Sequence, residues 1–99
     1  MNEPKLLTSD EVDERIESLG EWTVESGHQA ITRTFSFDNF HQTMAFVNAL
    51  AWIAHSMDHH PDFQVGYKTC AVTYTTHSAG GITPLDVEAA RRCNDLLSS

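Results

Sequence analysis

Apolar residues first recur at helical spacing at Val12, Ile16 and Leu19, the single stripe of a short amphipathic helix. Immediately before them, Thr8-Ser9-Asp10-Glu11 places a hydroxyl at the N-cap and a glutamate three residues on, the capping-box pattern. Gly20 is the expected C-terminal stop. The period then drops to two. Trp22 and Val24 alternate with polar residues, Ser26-Gly27 marks a turn, and Ile31, Phe35 and Phe37 alternate with Thr32, Thr34 and Ser36. Two antiparallel strands joined by a hairpin follow.

Asp38 is the expected cap of a second helix running to about Asp58. Its apolar positions form two overlapping series, Phe40, Met44, Val47, Ala51 and Ala54, and Phe46, Leu50, Ile53 and Met57. Together they exceed the stripe that a helix needs against one sheet. Either a second subunit covers the surplus or the helix is buried deep in a central position. Pro61 ends this helix, because the residue before a proline is pushed out of the α region. Phe63, Val65 and Tyr67 alternate next, and after a turn near Lys68-Thr69 so do Val72, Tyr74 and Thr76, giving a second pair of strands. Ser78-Ala79-Gly80-Gly81 reads as a flexible connection. Thr83 then caps a last helix with Pro84 at its first position, and Leu85, Ala89, Cys93 and Leu96 form its apolar face. The order is α-β-β-α-β-β-α. An α+β fold is expected, with three helices on one face of a four-stranded antiparallel sheet.

The 99 residues suit one domain over 1–99, without linker or internal repeat, and the 40% apolar content suits a globular chain. Fourteen acidic against six basic residues give a net charge of −8, a field that repels phosphates, so no direct nucleic-acid binding is expected. No apolar run approaches the roughly 20 residues of a membrane span, and the polar opening Met1-Asn2-Glu3-Pro4-Lys5 is unlike a secretory signal. A cytoplasmic location is expected. Cys70 and Cys93 lack metal-type spacing, and reduced thiols are the default there, although sequence leaves a bridge open.

The chemistry concentrates between His55 and His77, which hold four of the six histidines, His55, His59, His60 and His77. Imidazole titrates nearest neutrality, so such a cluster can hold both proton donors and acceptors. Three uses compete on residues alone. His59 and His60 could simply complement the negative end of the helix dipole, leaving His77 on the surface. His55 and His59, one turn apart, could ligate a metal with Asp58 or His77, although the H-E-x-x-H glutamate is replaced by Ser56. Or the histidines could be a metal-free acid/base set. Ser56 and Ser78 lack a nucleophile elbow, and neither a phosphate loop nor a dinucleotide fingerprint is present.

His55, His59, His60, Pro61, Tyr67, His77 and Asp86 stand at separations that resemble the signature of the pterin-4a-carbinolamine dehydratases, and the similarity extends over nearly the whole chain. That resemblance implies dehydration of 4a-hydroxytetrahydrobiopterin, or a related pterin, to the quinonoid dihydropterin, without metal or other cofactor. It implies that His59 and His77 transfer protons, that His60 binds and orients the pterin, and that Asp86 orients or charge-stabilises a histidine. Asp86 would otherwise be a capping carboxylate of the last helix. Asp58, Pro61, Thr75, Thr76 and Ser78 would line the pterin pocket, and Phe63 would either wall it or belong to the core. His55 stands where many members carry Glu and would tune the site. The implied partners are the pterin, a second copy of the chain in a homodimer or homotetramer, and a pterin-dependent hydroxylase as pathway neighbour. A non-catalytic, coactivator-like binding module is the rival reading within the same family.

Overall fold

Thr8 opens the first helix in the computed structural model, which describes residues 4–97. The Thr8 N–H donates to Glu11 Oε1 (2.9 Å), and the Glu11 N–H donates back to Thr8 Oγ1 (3.2 Å), completing the expected capping box of α1, Ser9–Glu17. The helix stops earlier than expected. Ser18 is its C-cap, and three-residue bonds from Ser18 and Leu19 tighten the last turn, so Gly20 (φ 71°) turns the chain beyond the helix.

The first strand, β1 (Thr23–Val24), is short and pairs with β2 (Ile31–Ser36) across a turn containing Gly27 and His28, both at positive φ. Asn39, rather than Asp38, caps the second helix, α2 (Phe40–Met57), by accepting from the Gln42 N–H at 2.8 Å. Phe37 still bonds to Lys68 as sheet backbone, which delays the helix by one residue. At its other end α2 stops before Pro61 can act. Asp58 adopts the left-handed conformation (φ 50°, ψ 43°), and the His59 N–H reaches back to the Ala54 carbonyl at 3.1 Å.

The last two strands are β3 (Asp62–Val65) and β4 (Thr69–Tyr74), and the antiparallel sheet has the order β1-β2-β4-β3. Tyr67 lies in the turn between them, outside the strand expected to contain it. Ile31, Phe35, Cys70, Val72 and Tyr74 are buried on the helix side, while the register sets Thr32 opposite Thr73 and Thr34 opposite Ala71 on the open face. The segment from His77 to Ala79 is a 3₁₀ turn rather than a flexible connection. Gly80 closes it in the left-handed region, and Thr76 and Gly81 form a bridge behind it. His77 therefore opens this turn and does not end a strand. Thr83 caps α3 (Pro84–Asp95), with Pro84 in its first turn.

The buried face of α3 differs from the expected Leu85, Ala89, Cys93 and Leu96. It consists of Asp86, Ala89, Ala90 and Cys93, while Leu85 is half-buried and Leu96 is exposed. The helix is rotated so that a carboxylate turns inward. Its far end is pinned by Asn94, which accepts from Trp22 Nε1 (2.7 Å) and Arg33 Nη1 (2.7 Å) and donates to the Leu19 carbonyl (2.9 Å). Cys70 and Cys93 are free and buried, with no bridge.

The apolar positions of α2 are only partly covered, with Ala54 of the first series buried beside the second. Phe46, Leu50 and Ile53 enter the core, whereas Phe40, at 47% exposure, and Ala51 remain open, and Trp52 is 67% exposed. A deeply buried central helix is thus excluded within the single chain. No described helix is long and apolar enough to cross a membrane.

Candidate active site

Asp86 is the third residue of α3, and its position serves two ends at once. The N-terminal turn of a helix presents unpaired N–H groups and positive dipole, which favour a carboxylate there. The Thr83 N–H donates to Asp86 Oδ2 at 2.9 Å, closing a second capping box. The side chain is nevertheless fully buried. Its other oxygen, Oδ1, lies 2.6 Å from His59 Nε2. Capping carboxylate and histidine partner, treated as alternatives in the sequence, are one and the same group.

His59 arrives at this carboxylate because Asp58 breaks the helix. The chain leaves α2 there, and His59 is buried (8% exposed) with its ring stacked on Tyr74 at 5.7 Å and 14°. His55 remains on the exposed surface of α2, its ring 5.8 Å from that of Trp52. The one-turn pairing of His55 with His59 needs a helix through residue 59, which the structure does not have. Among the described residues, no group of three or more His, Cys, Asp or Glu side chains is placed to hold a metal ion.

Tyr74 supplies a wall rather than a proton. Burial, reinforced by the neighbouring Cys93, pushes its phenol far above the ordinary value, and burial pushes the Cys93 thiol up to about 11. Neither exchanges protons near neutrality.

Thr76 was expected at the pterin pocket, yet only 5% of it is exposed and its hydroxyl points inward. Thr76 Oγ1–H donates to Asp86 Oδ2 at 2.8 Å, and its oxygen lies 2.8 Å from Thr83 Oγ1. The neighbouring residues face the other way. Thr75, bonded to the Gln29 carbonyl at 2.6 Å, and the exposed His77 line a cleft of about 330 Å³ with Asp62 and Thr73. Phe63 lines an adjoining cleft of about 440 Å³ on the open sheet face, which shares Asp62 and Thr73. Asp58, His60 and Ser78 are exposed and Pro61 is half-buried. The expected residues therefore form two groups about the end of β4, His59, Thr76 and Asp86 inside and Thr75 and His77 on the cleft. His59 lines neither cleft. Thr83, Tyr74 and Asp62 belong to these surroundings without having been singled out. Only Thr83 carried a local signal, since Thr-x-x-Asp aims the Asp86 carboxylate back toward residue 83.

An α+β domain with a buried imidazole–carboxylate pair, and further imidazoles near the same strand end, is of a class equipped for proton transfer. The chain belongs to the pterin 4 alpha carbinolamine dehydratase family, whose model matches residues 5–96. It is similar to a protein of Nitrosomonas eutropha provisionally named pterin-4-alpha-carbinolamine dehydratase, with 56% identity over 70% of this chain and 61% of that protein's length. A second relative, from Hydrogenovibrio crunogenus and named in the same provisional way, is 42% identical over 94% of this chain and 82% of its own. Among solved structures, a transcriptional coactivator/pterin dehydratase from Brucella melitensis superimposes with a TM-score of 0.88 at 38% identity, covering 91% of this chain and 96% of that one. A pterin dehydratase-like RuBisCO assembly factor of the alpha-carboxysome matches with a TM-score of 0.68 at 24% identity, covering 80% and 92%, a likeness of fold alone.

Proposed function

We propose that this protein dehydrates a pterin-4a-carbinolamine, 4a-hydroxytetrahydrobiopterin or a close relative, to the quinonoid dihydropterin by histidine acid–base catalysis. The observation that carries the reading is the buried His59–Asp86 pair at 2.6 Å, in a chain of this family. The C4a–O bond breaks as an acid protonates the hydroxyl, the N5 proton passes to a base, and the nitrogen lone pair forms the new C4a–N5 double bond as water departs. One acid and one base suffice. His59 and His77 fill these roles on either side of the end of β4, and Asp86 orients His59. His60 binds and orients the pterin, with Asp58, Pro61, Thr75 and Ser78 as further contacts, Phe63 as a wall and His55 as a tuning group. A pterin-dependent hydroxylase would supply the carbinolamine, in a cytoplasmic setting that suits two free thiols. Purified protein is expected to accelerate the decay of a synthetic 4a-carbinolamine well above its spontaneous rate. No acceleration would overturn the enzyme reading in favour of a binding module.

The same proposal includes a homodimer or homotetramer assembled through α2. This helix has no Asp, Glu, Lys or Arg in a chain of net charge −8, so little like charge opposes two copies meeting there. The exposed Trp52 and Phe40 supply apolar area there. Trp52→Glu is expected to lower the mass measured by light scattering to that of one chain. A wild-type protein already of single-chain mass would remove this part of the proposal.

A further inference from the structure

Hydroxyl protons can be assigned around Asp86 because each threonine has only one. Thr76 gives its proton to Asp86 Oδ2. The contact between Thr76 and Thr83 (2.8 Å) must then be donated by Thr83, whose own oxygen accepts from the Leu85 N–H at 3.2 Å. The bonds run one way, from Thr83 to Thr76 to Asp86. With the Thr83 N–H also on Oδ2, that oxygen receives two donors, and Oδ1 is left to His59. Thr76, Thr83 and Asp86 are all buried, so water cannot replace a lost donor.

We infer that Thr76 is a positioning residue: its hydroxyl, aligned by Thr83, fixes Asp86 as a pure acceptor, which holds the His59 proton on Nε2 and leaves Nδ1 as the nitrogen that exchanges a proton with the substrate. This rests on the dehydratase reading for its catalytic consequence, but the tautomer and the hydrogen bond exist without substrate. A carboxylate that receives donors on both oxygens can neither rotate nor offer a proton to the ring. The imidazole, stacked flat on Tyr74, is then fixed about its remaining axis as well. Second-layer partners of this kind commonly set which ring nitrogen of a histidine is protonated. Thr76 is thus assigned to the dyad and not to the pterin.

The test uses full-length protein labelled with ¹⁵N-histidine, with the His59 ring signals identified by their loss in His59→Gln. Wild type is expected to show the Nε2–H tautomer with a ring proton protected from exchange. In Thr76→Val the exchange of that proton accelerates by roughly tenfold or more, the scale of one lost hydrogen bond to a charged group. Turnover falls by a similar factor, with KM changed by less than about twofold. Thr76→Ser restores both. Thr76→Cys, which keeps the volume but offers a weak donor, gives the same direction as valine and serves if valine does not fold. An unchanged ring proton in both the valine and cysteine variants overturns the assignment. So does a rise in KM with the ring proton intact, since Thr76 would then touch the pterin. If wild type itself lacks turnover, the dehydratase reading fails while the ring-proton measurement still decides the role of Thr76.

Discussion

Replacing His59 and His77 together is expected to abolish dehydration of a synthetic pterin-4a-carbinolamine. A single well-placed acid or base supplies roughly 10²–10⁴ in rate, about 3–5 kcal/mol of barrier. In the proposed mechanism the two histidines act on one bond-breaking event, so the losses would not simply multiply, and each single variant is expected to lose most of the activity. His77 is exposed, and alanine there leaves the packing untouched. His59 is different, since it is buried on Tyr74 and donates to Asp86. His59→Gln combined with His77→Ala is therefore the cleaner variant, because the amide can still donate to the carboxylate while offering no titratable nitrogen. Circular dichroism checks the fold, and stopped-flow decay of the carbinolamine reads the activity. Turnover near wild type in a folded double variant would refute the proposed mechanism.

The features legible in the sequence are those decided within a few residues. The Thr8 box and the Thr83 cap form as expected because a hydroxyl at N-cap meets its partners within one turn, whatever surrounds it, and the structure completes the second cap into a box with Asp86. The element order and the antiparallel sheet follow from periods of 3.6 and 2. Competition between neighbours was less legible. Asp38 and Asn39 are both competent caps, and the extra sheet bond at Phe37 decides between them. Pro61 is a true breaker, but Asp58 acts first. Long-range direction was not legible in periodicity or spacing, and only the family resemblance joined Asp86 to a histidine. Asp86 meets His59 across 27 residues of sequence, on a helix that buries Asp86 and Ala90 where Leu85 and Leu96 were expected. Thr76 shows the limit most sharply. Its place beside His77 suggests a pocket residue, yet strand alternation sends Thr75 toward the cleft and Thr76 inward to the carboxylate.

Asp86→Ala is expected to destabilise the protein by about 3–5 kcal/mol, the cost of removing one partner from a buried, hydrogen-bonded charge site. Three buried donors lose their acceptor at once, namely His59 Nε2–H, Thr76 Oγ1–H and the Thr83 N–H. Each orphaned donor costs about 1–3 kcal/mol, and relief of the buried charge offsets part of the sum. A domain of this size is stable by only about 5–15 kcal/mol, so the loss is a large share of the total. It lowers the urea midpoint by about 1 M or more. Glu88 provides the contrast on the same helix. Hydrogen bonds from Arg91 and Arg92 hold its carboxyl down to about 2, and its bond to Arg91 is as short as the His59 pair, at 2.6 Å. Solvent screens these exposed pairs, so Glu88→Ala costs less than about 1 kcal/mol. The difference between the two variants separates burial from bond length as the source of stability. A urea midpoint for Asp86→Ala no lower than that of Glu88→Ala would show that the His59–Asp86–Thr76 network does not hold α3 to the sheet.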